Sequence, residues 1–504
     1  MPIFEFNLPK GLSRVLGLPT KSPRTSQMRV LKKLLKTAQY TSFGQKFKFA
    51  DILKHRHIGK NFQEVVPSYN YNKIYKEWWY LTLEGQSDIC WPGKINYFAL
   101  SSGTSEAASK YIPITNDLLR GNKIIMIKQL ISLFKYREIP ISAIGKGWLT
   151  LGGSTDLQKG AGYYAGDLSG ITAKKSPFWF QPFYKPGKKI AKERDWNKKL
   201  KEIVEKAPEW DISFVVGVPA WIQMCLEMVI ERYKLNNIHE IWPNLTLFVH
   251  GGVSFEPYKH GFEKLLGKPI EYVETYLASE GFLAWQDKQN ALGMRLTYNQ
   301  HIFFEFVPFD EKNFDDSGEM VEEPEALMIH EVEEGRDYAI LISTPAGAWR
   351  YLIGDTVRFI DKANAEIIIT GRTKHFLNAF GEEVIIENAD DAISYACNKT
   401  NSIIDNFTAA PIYLEARKQG GHEWIIEFKT EPQSLEEFTK IIDDTLRKIN
   451  SDYDAKRMHN LALISPKVHS VPEGTFYNWM KKRGKLGGQN KVPRLSNTRE
   501  FLEE

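Results

Sequence analysis

Between Asn116 and Thr370 this chain switches repeatedly between runs with helical spacing and short strand-like runs. That alternation restricts it to folds that mix helices with sheets. Helical patterns cover Asn116 to Phe134 and Pro219 to Tyr233, and strand-like runs cover Leu245 to His250, Ile270 to Tyr276, His301 to Val307, Tyr338 to Thr344 and Ala365 to Thr370. Ahead of them, Met28, Leu31, Leu34 and Leu35 share one face between Ser26 and Ala38, which predicts an amphipathic helix packed on the larger domain. After Gly371-Arg372 the character changes to two well-spaced helices, Glu382 to Ala396 and Leu435 to Ile449, the second carrying Ser434 and Glu437 at capping-box spacing. At 504 residues the chain exceeds one ordinary core, so the expected division is a large domain over 1–373 and a smaller one over 374–504.

The chemistry concentrates in a few segments. Ser101-Ser102-Gly103-Thr104-Ser105, with Lys110 five residues later, follows a strand-like run from Ile95 to Leu100 and packs hydroxyls, a glycine and a cation into ten residues. A polyphosphate needs many donors in a loop that backbone can approach closely, and Gly103 permits that approach. No Gly-Lys-Ser/Thr ending follows, so the P-loop kinases and NTPases lose their main support. Gly251-Gly252, at the end of a strand, would let a flat base lie against bare backbone. Thr275 and Tyr276 offer an aromatic face nearby, and Glu280 offers a hard oxygen of the kind Mg²⁺ prefers. Asp355 follows a glycine in Arg350-Tyr351-Leu352-Ile353-Gly354-Asp355, where its two oxygens would accept ribose hydroxyls. Arg372 and Lys374 stand at the inferred domain junction, and Lys491 lies near the C-terminus in Gln489-Asn490-Lys491-Val492-Pro493-Arg494.

Taken singly, each of these is a common turn or surface charge. Their order along the chain resembles the GH3 family of acyl-acid amido synthetases, a branch of the adenylate-forming enzymes, in a bacterial-type member: Ser-Ser-Gly-Thr-Ser, Tyr-x-x-Ser-Glu, Arg-Tyr-x-x-Gly-Asp, Gly-Arg-x-Lys, then Gln-x-Lys-x-Pro-Arg. The resemblance implies a mixed α/β (α+β) fold, with a large N-terminal domain of β-barrel and β-sheets flanked by helices and a smaller mobile C-terminal α+β domain. It also implies that ATP and Mg²⁺ take part. Ser101 to Ser105 would hold the phosphates, Gly251, Gly252, Thr275 and Tyr276 would surround adenine, Glu280 would bind Mg²⁺, and Asp355 would hold the ribose with Arg372 nearby. Lys491 would reach the reacting groups, with Ser102 and Glu280 assisting, while rotation centres near Lys374. Tyr163, Tyr164, Val218, Pro219 and Trp221 match in position the walls of the family's acyl pocket. Two departures stand out, Ala107-Ala108 after the first motif and Ala278-Ser279 within the second; neither removes a charged or metal-binding group.

The implied activity is activation of a carboxylic acid as its acyl-AMP, followed by transfer to an amine such as an amino acid. The alternatives are an acyl-CoA ligase of the same superfamily and an inactive nucleotide-binding protein. A charge of +4 from 66 basic and 62 acidic residues gives no reason to expect nucleic acid. No apolar run suits a membrane span, and three distant cysteines, Cys90, Cys225 and Cys397, make neither a disulfide framework nor a zinc site, so a cytoplasmic setting is expected. Which acid, which amine and which oligomeric state are not legible at this level.

Overall fold

The computed structural model describes residues 22–102, 109–133, 139–253, 255–315, 318–373, 376–413, 420–458, 463–483 and 492–503. The opening helix runs over Pro23–Ala38, one turn longer than its apolar stripe predicts. Ser22 accepts a hydrogen bond from Thr25 N at 3.3 Å and Pro23 supplies a preset φ, so cap and proline move the start upstream of the stripe. Val30, Leu31, Leu34, Leu35 and Ala38 are buried. Gln27 beside them donates to Tyr298 O at 2.7 Å and Ile302 O at 3.0 Å and accepts from Phe304 N at 2.7 Å. A buried amide satisfied on both sides fixes the helix against the strand Phe303–Pro308.

Among the described residues twelve strands form the principal sheet, and its character changes midway. The strands Gly147–Thr150, Ile212–Gly217, Leu247–Gly251 and Glu271–Ala278 pair in parallel, joined by crossovers that include the helices Trp196–Lys206, Pro219–Tyr233 and Glu256–Glu263. Their interior positions are apolar on both faces, as strands covered on both sides require: Ile212, Phe214, Val215, Leu247 and Phe248 are all within 1% of full burial. Glu271–Ala278 then turns back as a tight hairpin into Gly281–Trp285. From there the sheet is antiparallel through Met294–Leu296, Glu366–Arg372, Tyr351–Asp361, Asp337–Ser343 and Phe303–Pro308. A second sheet of four strands contains the hairpin of Tyr97–Ser102 with Ser109–Ile114.

After Phe376 the strands Ile403–Ile412, Gly421–Thr430 and Lys467–Val471 make a separate small sheet backed by the helices Ile386–Thr400 and Leu435–Ile449. Leu435–Ile449 matches its expected bounds because the cap is real: Glu437 N donates to Ser434 Oγ at 3.1 Å, and Phe438, Ile442 and Leu446 are fully buried. The other helix begins at Ile386, not at Glu382. Gly381 at φ +86° and Glu383 at φ +40° cannot continue a right-handed turn, and Val384–Ile385 pair instead with Phe376–Leu377. This C-terminal portion rests on the rest of the chain through the helix Ser451–Arg457, packed on Tyr97–Ser102, and through the Tyr258 hydroxyl, which donates to Ala379 O. No helix among the described residues is long and apolar enough to cross a membrane.

Candidate active site

Glu280 lies in the two-residue turn between Ala278 and Gly281, so its position is set by a hairpin register and not by a long loop. The side chain is 8% exposed. Burial raises its pKa above the ordinary carboxylate range; the charges of Lys110 and Arg372 oppose the rise, and Asp355 adds to it. The Tyr351 hydroxyl hydrogen-bonds the carboxylate and is itself driven well above its usual pKa, first by burial and then by Glu280. Burial dominates, but the positive charges of Lys110 and Arg372 favour the ionised form, and an ionised carboxylate at this position would be a hard-oxygen ligand for a cation. Among the described residues no three His, Cys, Asp or Glu side chains gather as a metal cage. One carboxylate nevertheless fits Mg²⁺, which takes few protein ligands when phosphate oxygens and water complete its shell.

Next to Glu280 stands a second cluster. The Tyr276 hydroxyl donates to Asp355 Oδ2, and Arg372 Nε donates to Asp355 Oδ1 at 2.7 Å. Asp355 and Arg372 are direct partners on adjacent strands, with Thr373 N donating to Gly354 O at 2.8 Å beside them. Gly354 takes φ +94°, a left-handed conformation that suits glycine at the bend before Asp355. Burial pushes the Tyr276 phenol well above its ordinary pKa and Asp355 pushes it further. Although burial works against its charge, Asp355 and Glu383 hold the Arg372 guanidinium more firmly protonated than usual. Both Asp355 oxygens therefore have partners already, yet a carboxylate offers about four acceptor positions, which leaves room for ribose hydroxyls.

The two described strands that flank the first motif pair antiparallel, Ser101 lying opposite Lys110 and Ser102 opposite Ser109. Lys110 extends over the Tyr71 ring, 5.6 Å from its centre, and Tyr71 is anchored in turn by accepting from Tyr111 N at 2.9 Å. Of the residues assigned to nucleotide or catalysis from sequence, Gly103, Thr104, Ser105, Lys374 and Lys491 lie outside the described residues.

Gly251 and Gly252 end the strand Leu247–Gly251 beside Thr275. A Cβ on Gly251 would stand 2.2 Å from Thr275 O, closer than any real contact, and Gly252 needs φ +84°. Gly251→Ala is thus expected to lower stability by about 1–3 kcal/mol by forcing the two strands apart, and to weaken ATP binding; thermal unfolding with and without ATP reads both. His250 precedes this turn, 5% exposed, with Nδ1 unpartnered; burial lowers its pKa to about 4, so it is neutral.

The five residues placed at the acyl pocket from sequence fall into two groups. Tyr163 packs edge-on against Phe98 and Tyr111, and Tyr164 stacks on Tyr97, both beside the first hairpin. Val218 and Pro219 begin the helix Pro219–Tyr233, with Val218 Cγ2 3.6 Å from where a Gly252 Cβ would sit, and Trp221 meets Trp196 edge-on. Val218 is thus beside the glycine turn, whereas Trp221 belongs to the apolar cluster under the crossover helices. Two site residues escape sequence reasoning. Tyr351 sits inside a quoted motif and carried that signal; Glu383 sits in no motif at all.

Three models of one family match this chain in order. The GH3 family N-terminal domain covers residues 14–203, the GH3 family central domain 296–367 and the GH3 family C-terminal domain 387–500, together about three quarters of the chain. The chain is 25% identical over 285 residues to indole-3-acetic acid-amido synthetase GH3.3 of Arabidopsis thaliana, covering 53% of this chain and 46% of that protein. It is 24% identical over 312 residues to GH3.10 of the same plant, covering 56% and 50%. It therefore spans about half the length of the curated relatives it matches. The GH3.15 acyl acid amido synthetase in complex with 2,4-DB shares the fold at TM-score 0.60 and 17% identity, over 100% of this chain and 96% of that one. A 2-hydroxyisobutyryl-CoA ligase with 2-HIB-AMP and CoA does so at TM-score 0.58 and 14% identity, over 100% and 96%. With the motif residues of three domains in family order and the shared fold extending over the whole chain, this protein belongs to the GH3 family.

Proposed function

We propose that this protein uses ATP to activate a carboxylic acid as its acyl-AMP and transfers the acyl group to an amine, an amino acid being the natural acceptor class. The observation that carries the reading is the convergence of Glu280, Tyr276, Asp355 and Arg372, from three separate sequence motifs, on one partly buried cluster facing the Ser101–Lys110 hairpin.

A carboxylate resists attack because it is negatively charged and delocalised, so it must first be made an acid anhydride. The acid's oxygen attacks the α-phosphorus of ATP and pyrophosphate leaves. No protein nucleophile is needed; the work is positioning and neutralising charge. Asp355 and Tyr276 orient the ribose and base, the Gly251-Gly252 turn admits the flat base, and Lys110 with the hairpin's hydroxyls and amides meets the phosphates. Glu280 would hold Mg²⁺, which when bound offsets phosphate charge. In the second half-reaction a neutral amine attacks the acyl carbonyl, the C–O bond to AMP breaks with its electron pair leaving on AMP, and the nitrogen releases one proton to solvent to give the neutral amide. Water competes for the same adenylate, so a C-terminal lid over 374–504 that closes on the site, bringing Lys491 to it, has a physical purpose. The acyl chain would lie by Val218, Pro219 and Trp221 on one side and Tyr163 and Tyr164 on the other. Three widely separated free cysteines suit a cytoplasmic enzyme.

The test is acid-dependent ATP–pyrophosphate exchange across a panel of aryl and alkyl acids, followed by amide formation from the active acids with amino acids in the absence of coenzyme A. Exchange followed by amide supports the proposal. Exchange followed only by a thioester when coenzyme A is added would make the protein an acyl-CoA ligase, and no exchange with any acid would make it a binding protein.

A further inference from the structure

Glu383 belongs to the C-terminal portion yet extends into the nucleotide cluster. Its Oε2 lies 3.3 Å from Arg372 Nη1, on the guanidinium whose Nε holds Asp355. Tyr276, Asp355 and Arg372 all stand on strands of the principal sheet, so the row Tyr276–Asp355–Arg372–Glu383 crosses from one portion of the chain to the other.

The backbone around Glu383 is held from its own side. Glu382 is fully buried, pairs with His422 Nε2 at 2.8 Å and accepts from Ala379 N at 3.0 Å and Phe380 N at 2.7 Å. Glu383 O accepts from Asn450 Nδ2 at 3.1 Å, which ties it to the start of the helix Ser451–Arg457. Between these anchors Glu383 sits at φ +40°, a left-handed conformation that a glutamate adopts only under constraint. Strain of this kind, at a charged residue reaching a nucleotide-site arginine, is the usual mark of a functional constraint. Arg372 is further steadied by its ring contact with Phe376, 5.0 Å from centre to guanidinium carbon.

We propose that Glu383 is a positioning residue that reads closure of the C-terminal portion into the ATP site: it locks the Arg372 guanidinium so that Asp355 presents its free acceptor positions to the ribose. This rests on the nucleotide reading above. With Glu383 in place, Arg372 is clamped between two carboxylates and its plane is fixed. When the C-terminal portion swings away, Arg372 keeps Asp355 but loses its second anchor, and the ribose acceptor becomes mobile. ATP is therefore gripped most firmly in the arrangement seen here, and loosened once the portion turns.

The experiment compares wild type with Glu383→Gln, Glu383→Gly and Glu383→Asp in pyrophosphate exchange, with Tm measured with and without ATP. Glu383→Gln is expected to raise the KM for ATP about tenfold, the worth of one charge-assisted contact, with the KM for the acid unchanged. Glu383→Gly should raise it equally without lowering Tm, since glycine accepts φ +40° freely, and Glu383→Asp should restore part of the affinity. An unchanged ATP KM in the Gln and Gly variants overturns the proposal, as does a parallel rise in both KM values with a falling Tm, which marks a merely structural residue. If wild type performs no exchange, the functional reading fails on its own account. The ATP-induced rise in Tm then still decides this one: a smaller rise in Glu383→Gln than in wild type upholds it, and an equal rise overturns it.

Discussion

Glu280→Gln is expected to abolish acid-dependent pyrophosphate exchange, by about a thousandfold or more, while leaving Tm unchanged or raised at pH 7. Glutamine keeps the shape and can still accept the hydrogen bond from Tyr351, so packing around the turn is preserved. What disappears is the Glu280 carboxylate charge, and losing such a preorganised electrostatic group costs roughly two to three orders of magnitude or more in rate. Stability runs the other way. The folded pKa of Glu280 is raised by burial, so its contribution to stability is fully present below the unfolded value and is lost as pH rises through the folded one. Where the carboxylate is ionised it weakens the fold, and the amide removes that penalty. Such an opposition of activity and stability is typical of catalytic groups. Exchange assays and thermal melts across pH 4–8 would test both limbs; normal turnover by the variant would remove Glu280 from the metal role.

The largest stability effect is expected from Arg350→Met, a loss of about 3–5 kcal/mol measured by chemical denaturation. Arg350 is the arginine of the Arg-Tyr-x-x-Gly-Asp motif, but its partners are Glu305, Gln63 and Val66 in the core, not the Glu280–Asp355–Arg372 cluster. It is 5% exposed, its Nε lies 3.1 and 3.2 Å from the two oxygens of Glu305, and its Nη1 donates to Gln63 O at 2.8 Å and Val66 O at 2.6 Å. These bonds tie the N-terminal helices to the antiparallel half of the sheet. Removing the arginine strands Glu305, which is fully buried, as an uncompensated charge. Arg350→Met combined with Glu305→Met is therefore expected to recover most of the loss, because the burial penalty of both charges goes with them. A single-variant loss below about 1 kcal/mol would show that the pair carries little.

The contrast within that motif says what sequence reading can and cannot do here. Spacing located Pro219–Tyr233 and Leu435–Ile449 to the residue because proline and serine mark their starts locally. It extended the helix at Glu382 too far upstream because the pairing of Phe376–Leu377 with Val384–Ile385 is a tertiary event that periodicity does not register. Tyr276, Glu280, Asp355 and Arg372 were identified as a set through the ordered motifs, and the structure brings these four together. Which motif residue joins the Glu280 cluster and which the core was not legible: Tyr351 hydrogen-bonds Glu280, while its neighbour Arg350 pairs with buried Glu305. Glu383 was invisible because its position depends on a left-handed backbone and on the buried Glu382–His422 pair, neither of which leaves a pattern in the residues. Of the residues proposed for the acyl pocket, Tyr163 and Tyr164 lie beside Tyr97–Ser102 and Val218 and Pro219 at the start of the helix Pro219–Tyr233, an arrangement that one sequence does not show.

The change from parallel to antiparallel pairing at Glu271–Ala278 separates two halves of a single sheet. Glu280, Asp355 and Arg372 sit on a tight hairpin turn and on two paired antiparallel strands, whereas Val218 and Pro219 sit where a parallel strand passes into a helix, a junction that accepts new side chains easily. Under the proposed assignment, one organic acid could be exchanged for another by rewriting that junction, with the Glu280–Asp355–Arg372 cluster left unaltered.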